Sequence, residues 1–170
     1  MEAITKAHDW LLVALKNLAG AIIFIIFVLI VVDVGLILFG FSGFEGTLGL
    51  VEYGLLWFTM LAAPWLARIR GHVYIDTLTE LFNPQVQQYA AKFAYLVAIC
   101  AASLAGYFSV ELWWEAYVNE QVDERGIELM QWWLYAPMPF GLFLVTFEFL
   151  RYLFGFDDMY SSRTEAKEGM

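Results

Sequence analysis

The 23-residue run LAGAIIFIIFVLIVVDVGLILFG, residues 18–40, constrains this chain more than any other feature, because its only charged residue is Asp33. About 20 consecutive apolar residues form a helix long enough to cross the hydrocarbon core of a bilayer. Of the 170 residues, 61 % are hydrophobic and 16 % are charged, whereas soluble domains are about half apolar and about a quarter charged. The run therefore predicts a membrane-spanning helix in an integral membrane protein.

Three further windows have the length and composition of membrane spans. They cover about residues 48–67, 89–114 and 132–156, and with residues 18–40 they predict a single all-α membrane domain of four transmembrane helices over residues 1–170. The first run is longer than the apolar region of a signal peptide, and no small-residue cleavage site follows it. It is therefore expected to remain in the mature protein.

The lysines and arginines that flank the spans predict which side of the membrane each loop faces, because cytoplasmic loops carry an excess of them. Eight belong to the N-terminal arm, the second loop with the start of the third span, and the C-terminal end, namely Lys6, Lys16, Arg68, Arg70, Lys92, Arg151, Arg163 and Lys167. The opposite side has only Arg125. Both termini are therefore predicted to be cytoplasmic.

The stretch after the second span, about residues 71–82, has the apolar periodicity of a short amphipathic helix, and Asn83-Pro84 ends it. It is too short to span, so it is predicted to lie in the membrane interface. Arg68 is expected to contact phospholipid headgroups or a partner, and His72 and Asp76 form an i,i+4 pair. That pair also suits a metal or acid/base site, but no further nitrogen or sulfur ligand is near in the sequence. A structural role is therefore favoured.

Charge and cysteine content exclude several classes of protein. The net charge of −9 leaves no basic patch for nucleic acid. The single cysteine, Cys100, excludes a disulfide framework and a CxxC redox pair. No nucleophile–base set or metal-ligand cluster occurs at a plausible spacing. The sequence therefore predicts a protein that is not an enzyme and that has no metal or cofactor.

Four acidic residues lie within the predicted spans, where ionisable groups are costly and often functional. Glu148 has Arg151 three residues away and is expected to pair with it. Asp33, Glu52 and Glu111 lie in the outer halves of their helices, with no basic residue at a comparable depth. Protonation, contact with nearby water and pairing with a Lys or Arg of another polypeptide remain three alternatives for them.

The second outward loop is acidic and is bracketed by pairs of tryptophans that suit an interfacial aromatic belt. One interpretation is a solvated turn. The other is a docking surface for a protein outside the membrane, for which the candidate contacts are Glu115, Glu120, Asp123 and Glu124.

A row of small residues recurs every four positions along the third span: Ala90, Ala94, Ala98, Ala102 and Gly106. Such a row lets a second helix approach closely. The sequence leaves open whether that helix belongs to this chain or to a partner.

Two groups of these residues resemble one transporter family, the small (DctQ-like) membrane subunit of tripartite ATP-independent periplasmic (TRAP) transporters. The first group comprises Glu52, Arg68, Gly71-His72-Val73 and Asp76. The second, at the start of the fourth span, comprises Trp133, Tyr135 and Pro139-Phe140-Gly141. The four spans, the inside termini and the amphipathic connector agree with the resemblance over nearly the whole chain, and the bulky pair Tyr74-Ile75 departs from it.

The resemblance implies a non-catalytic subunit of a bacterial inner membrane. In that family a large membrane subunit carries the substrate and sodium sites and moves by an elevator mechanism, and a soluble periplasmic protein delivers an organic acid. The small subunit braces the large one. The partners implied are therefore these two proteins, together with phospholipids. Candidate contacts with the large subunit are Asp33, Glu52, Arg68, His72, Asp76, Ala94, Ala98, Ala102, Gly106 and Glu111.

The rival interpretation is a self-sufficient four-span proton-coupled transporter with Asp33 as the proton carrier. Such pumps often form antiparallel dimers with little charge bias, whereas this chain has the eight-to-one bias described above. It also lacks internal repeats and the paired broken helices of larger secondary transporters. A membrane enzyme is a third class, for which no catalytic set of residues is found.

Overall fold

The structure is a computed structural model that describes residues 2–69, 84–123 and 129–154. The elements of these residues are α1 (Glu2–Leu38), α2 (Thr47–Arg68), α3 (Pro84–Val118), β1 (Val122–Asp123), β2 (Leu129–Met130), α4 (Gln131–Tyr135) and α5 (Pro137–Leu153). Within the described ranges, four segments are long and apolar enough to cross a membrane: His8–Leu38, Thr47–Arg68, Lys92–Val118 and Gln131–Leu153. The four spans predicted by length and composition are thus confirmed.

The four spans pack in a row rather than in a closed bundle. Contacts join α1 with α2, α2 with α5, and α5 with α3, so that α1 and α3 form the two edges. The start of α1, the end of α2 and the end of α5 meet at one end of the row, which we call the terminal end. The opposite end, which carries the loop 39–46 and the strands β1 and β2, is called the hairpin end.

The seam between α1 and α2 begins well before the apolar run of α1. Leu12, Leu15, Ala19 and Ile26 are buried, and their steps of three, four and seven residues place them on one face of the helix. Leu15 and Ala19 pack against Leu61 of α2. A hydropathy window identifies a helix segment that is apolar on every side, whereas a helix needs only one apolar face to pack against a neighbouring helix. For that reason α1 starts at residue 2, not near residue 18 as predicted.

The fourth span consists of α4 and α5, separated only by Ala136. The backbone N–H of Ala136 donates to Trp132 O at 3.0 Å, and Ala136 keeps helical φ and ψ angles of −51° and −41°. Pro137 follows in the first turn of α5, where the missing N–H of a proline is not required. The span therefore continues across Ala136 despite the proline.

The crossing of α2 and α5 depends on Gly141. A Cβ atom built on Gly141 would lie 3.0 Å from the carbonyl carbon of Met60 and 3.1 Å from its Cβ, and closer still to its carbonyl oxygen. Real Cβ atoms avoid backbone at such distances, so only glycine permits this approach of the two helices. Because α5 also packs on α3, this contact positions half of the row.

The chain after α3 forms a short antiparallel ladder, a feature that was not predicted from the sequence. Val122 pairs with Met130 and Asp123 with Leu129. The chain then enters α4, where Trp133 stacks on Trp57 of α2 at a centroid distance of 6.4 Å. Two residues per strand give too short a pattern for alternating hydropathy to reveal.

The predicted interfacial helix, at about residues 71–82, lies outside the described residues. The third span, predicted at about residues 89–114, lies within α3, which extends beyond it at both ends.

Candidate functional site

A fully buried carboxylate lies at the terminal end. The side chain of Glu148 on α5 is 0 % exposed. Its Oε1 is contacted by His8 Nε2 and lies 3.5 Å from Arg151 Nη1, and its Oε2 accepts a hydrogen bond from Arg68 Nη1 at 3.5 Å. The contact with Arg151 confirms the pairing predicted from the sequence. The contacts with His8 and Arg68 were not predicted, because these residues lie 140 and 80 positions away.

Arg68 joins α2 to both of its neighbours in the row. Its Nη2 donates to Asp9 Oδ1 of α1 at 2.7 Å, while its Nη1 reaches Glu148. The side chain is only 17 % exposed. Arg68 is thus held within the chain by side chains of α1 and α5, and its contact with headgroups or a partner stays a prediction. An arginine at the end of a span commonly extends to the interface, but here two acidic side chains of the same chain hold it. We call the group of His8, Asp9, Arg68, Glu148 and Arg151 the terminal-end network.

Tyr152 ties α5 to the last backbone groups of α2. Its buried hydroxyl lies 3.0 Å from Ala67 O and 2.8 Å from Arg68 O and donates to them. The final carbonyl groups of a helix have no partner within the helix and need one elsewhere. The ring of Tyr152 also stacks on Tyr95 of α3 at 5.8 Å. One side chain thus connects three spans at the point where the connector leaves α2.

Asp33 has a partner within the chain that the sequence analysis did not consider. Its Oδ1 accepts a hydrogen bond from the backbone N–H of Phe44 at 2.6 Å. The loop 39–46 therefore folds back over the end of α1, and a Cβ atom on Gly43 would lie only 3.1 Å from the same oxygen. A neutral backbone donor satisfies part of the carboxylate. Protonation, water and a foreign cation are then not the only means of stabilising Asp33.

The acidic residues of the hairpin end differ in their surroundings. Glu111 and Glu115 on α3 are exposed, as is Glu120, which has a positive φ of 47° in the turn after α3. Asp123 is 9 % exposed, and Tyr53 of α2 donates to its Oδ2 at 3.2 Å. This burial corrects the prediction that Asp123 belongs to an accessible docking surface. The ladder turns its side chain toward α2, a direction that a loop sequence does not reveal.

The small residues of α3 pack partly within the chain. Gly106 is buried, and a Cβ atom on it would lie 3.7 Å from Leu142 Cβ of α5. Ala98 and Ala102 are half-buried, whereas Ala94 is exposed. The part of the row nearer the hairpin end therefore faces this chain's own fourth span.

The remaining predicted site residues have mixed positions. Glu52 has an exposed side chain in the second turn of α2 and interacts within the chain. His72, Asp76 and Glu124 lie outside the described residues. Within the described ranges, no group of three or more His, Cys, Asp or Glu side chains is arranged to hold a metal ion.

Comparison with known protein families gives one match. The family model described as "Tripartite ATP-independent periplasmic transporters, DctQ component" matches residues 26–156, which include the last third of α1 and all of α2 to α5. Comparisons with curated proteins and with solved structures give no match.

Proposed function

Since this chain belongs to the DctQ family of tripartite ATP-independent periplasmic transporter components, we propose that it is the small membrane subunit that braces the large, elevator-type subunit of a TRAP transporter. The transporter takes up an organic acid by sodium coupling, after a periplasmic binding protein has delivered the acid. Substrate and sodium are bound by the large subunit, and this chain has no catalytic step of its own.

The open row of helices is the observation that carries this proposal. Of the most apolar window of each span, between 6 % and 22 % of residues are buried within the chain. Both edges of the row therefore present apolar side chains at membrane depth, which lipid or another membrane protein can cover. A row with wide uncovered faces suits a scaffold that enlarges a partner more than it suits a self-contained transport pathway.

The rival proposal, a self-sufficient proton-coupled transporter, is weakened by the position of Asp33. Its carboxylate accepts a hydrogen bond from a backbone N–H of the loop 39–46 at the hairpin end. A proton carrier must become accessible from both sides of the membrane, and a group that holds a terminal loop in place is poorly suited to that task.

The proposed orientation follows from the lysine and arginine asymmetry. The terminal end faces the cytoplasm and the hairpin end faces the periplasm of a bacterial inner membrane. Arg151 at the end of α5 and Lys16 near the start of α1 lie on the proposed cytoplasmic side. The connector at residues 71–82 is proposed to lie on that side in the headgroup layer, with His72 and Asp76 as structural residues.

Co-purification tests the proposed function directly. An affinity tag on this chain, expressed with its untagged chromosomal neighbours, is expected to recover one large polytopic membrane protein in a fixed ratio. Removal of this chain is expected to abolish uptake of the acid bound by the associated periplasmic protein. Recovery of the tagged chain alone, with uptake unaffected by its deletion, would contradict the proposal.

We further propose that Glu115 and Glu120 form part of the surface on which the periplasmic binding protein lands, since both are exposed at the hairpin end. Charges at the rim of an interface mainly alter the rate of encounter and its salt dependence. The double variant Glu115→Gln/Glu120→Gln is expected to change uptake several-fold at low ionic strength and little at high ionic strength.

Glu45 provides the matched control for this experiment, because it is an exposed glutamate in the other loop of the hairpin end. Glu45→Gln is expected to have the smaller effect. Uptake by the double variant that equals wild type at every salt concentration would exclude electrostatic docking on α3.

A further inference from the structure

The side chains of the terminal-end network contact one another, and their formal charges sum to zero. With His8 neutral, it contains two anions, Asp9 and Glu148, and two cations, Arg68 and Arg151. The carboxylate of Glu148 is 0 % exposed, and the three basic side chains around it are between 13 % and 17 % exposed. Water therefore contributes little to stabilising the charge of Glu148, which depends on the basic side chains around it, whereas Asp9 is 46 % exposed and also reaches water.

The terminal-end network also joins residues that are far apart in the sequence. It joins the first turns of α1, the last residue of α2 and the last turns of α5, and it does so through side chains alone. From Leu12 toward the hairpin end, α1 packs against α2 through apolar side chains. The ring of His8 also packs on Phe147 of α5 at a centroid distance of 5.1 Å, so the network and this ring contact together attach the start of α1 to α5.

We infer that the terminal-end network is a latch: the buried charge of Glu148 holds the start of α1 against α2 and α5, and loss of that charge releases the start of α1, while Tyr152 keeps the exit of α2 on α5 and the hairpin end stays packed. The inference concerns this chain alone and does not rest on the proposed function.

The reason for local rather than global release lies in the separation of the contacts. The hairpin end has its own attachments, in which Tyr53 bonds Asp123 and Trp57 Nε1 donates to Trp133 O at 3.0 Å. The crossing at Gly141 lies between the two ends and is apolar. Segments with separate sets of contacts open separately, with different free energies.

Hydrogen exchange of the full chain in lipid nanodiscs, followed by mass spectrometry, tests the latch. Glu148→Gln leaves Asp9 with two arginines and hence a net charge of +1 in the network. Uncompensated buried charge is strongly destabilising, so exchange in residues 8–11, which precede the apolar packing that begins at Leu12, is expected to rise about 100-fold. Exchange in residues 62–69 is expected to change little, because Tyr152 still bonds the last carbonyl groups of α2. Exchange in residues 47–57, at the hairpin end, is expected to remain at the wild-type rate.

The double variant Glu148→Gln/Arg151→Gln separates charge from packing. It leaves Arg68 paired with Asp9, restores neutrality, and keeps the side-chain volumes close to those of the wild type. Exchange at the terminal end is therefore expected to return most of the way to the wild-type rate. Should the single variant fail to accumulate, the double variant is still expected to accumulate with a protected terminal end.

Three results would overturn the inference. The first is wild-type exchange at residues 8–11 in the Glu148→Gln variant. The second is an equal rise at both ends of the row, which would make Glu148 a support of the whole fold instead of a latch. The third is a double variant that is as exposed as the single one, or that also fails to accumulate, because the effect would then not depend on charge balance.

Discussion

Replacement of Gly141 by alanine is expected to destabilise the chain by about 3 kcal/mol, near the upper end of the usual cost of overpacking. The added methyl group would meet the backbone carbonyl of Met60, with its carbon at 3.0 Å. A side chain could rotate away from such a contact, but a helix backbone can move only by shifting α2 as a whole. The apparent melting temperature of the purified chain, measured in one detergent, is expected to fall, and assembly with a partner is expected to fall with it.

Other glycines of the same spans serve as matched controls for this prediction. A Cβ atom on Gly20 meets nothing within 4 Å, and one on Gly106 meets only Leu142 Cβ at 3.7 Å, an ordinary contact. Gly20→Ala and Gly106→Ala are therefore expected to melt close to the wild type. Gly54→Ala is expected to be intermediate, since it meets the flexible end of Ile26 at 2.5 Å. A Gly141→Ala variant no less stable than these controls would show that α2 and α5 do not cross here as described.

Two substitutions of Asp33 are expected to have different results. Asp33→Asn keeps an oxygen that can accept the Phe44 N–H, so uptake and recovery of the complex are expected to stay near wild type. Asp33→Ala removes this exposed hydrogen bond, at a cost of about 0.5–1.5 kcal/mol. Recovery of the complex is expected to fall in the alanine variant, because the loop 39–46 is no longer held over α1.

The same pair separates a structural Asp33 from one that carries protons. Asparagine cannot take up and release a proton, so a proton carrier would be inactivated by Asp33→Asn as completely as by Asp33→Ala. Uptake and recovery of the complex measured on both variants in parallel give the answer. Equal loss in the two variants would favour the proton-coupled alternative over the loop-holding role described here.

The spans and their order along the chain could be predicted from the sequence, because a helix that crosses the hydrocarbon core needs a long run of contiguous apolar residues. The position of the third span within α3 followed from its apolar composition, and the pairing of Glu148 with Arg151 followed from their spacing. In each case the signal lies within a few turns of one helix. The early start of α1 was missed because its first turns are polar on several faces.

The interactions that could not be predicted join residues distant in sequence. His8 and Arg68 contact Glu148 because the start of α1 and the ends of α2 and α5 meet at the terminal end. The order of the helices in the row cannot be predicted from the sequence. Burial of Asp123 depends on a two-residue ladder that directs it to Tyr53. Gly106 looked the same as its neighbours in the small-residue row, and only the packing of α5 identifies its contact.

The unequal lengths of the helices affect how the chain fits a bilayer. The edge helices α1 and α3 have 37 and 35 residues, whereas α2 has 22. At a rise of 1.5 Å per residue, they measure about 56, 53 and 33 Å. The turns of α1 before His8 and of α3 before Lys92, which precede their membrane-spanning parts, are both at the terminal end. In one leaflet, the headgroups thus meet helical backbone at both edges, while in the other they meet loops. In a thicker bilayer, additional helical turns of α1 and α3 can enter the hydrocarbon core, but α2 has no additional turns. Hydrophobic mismatch therefore strains the middle of the row first.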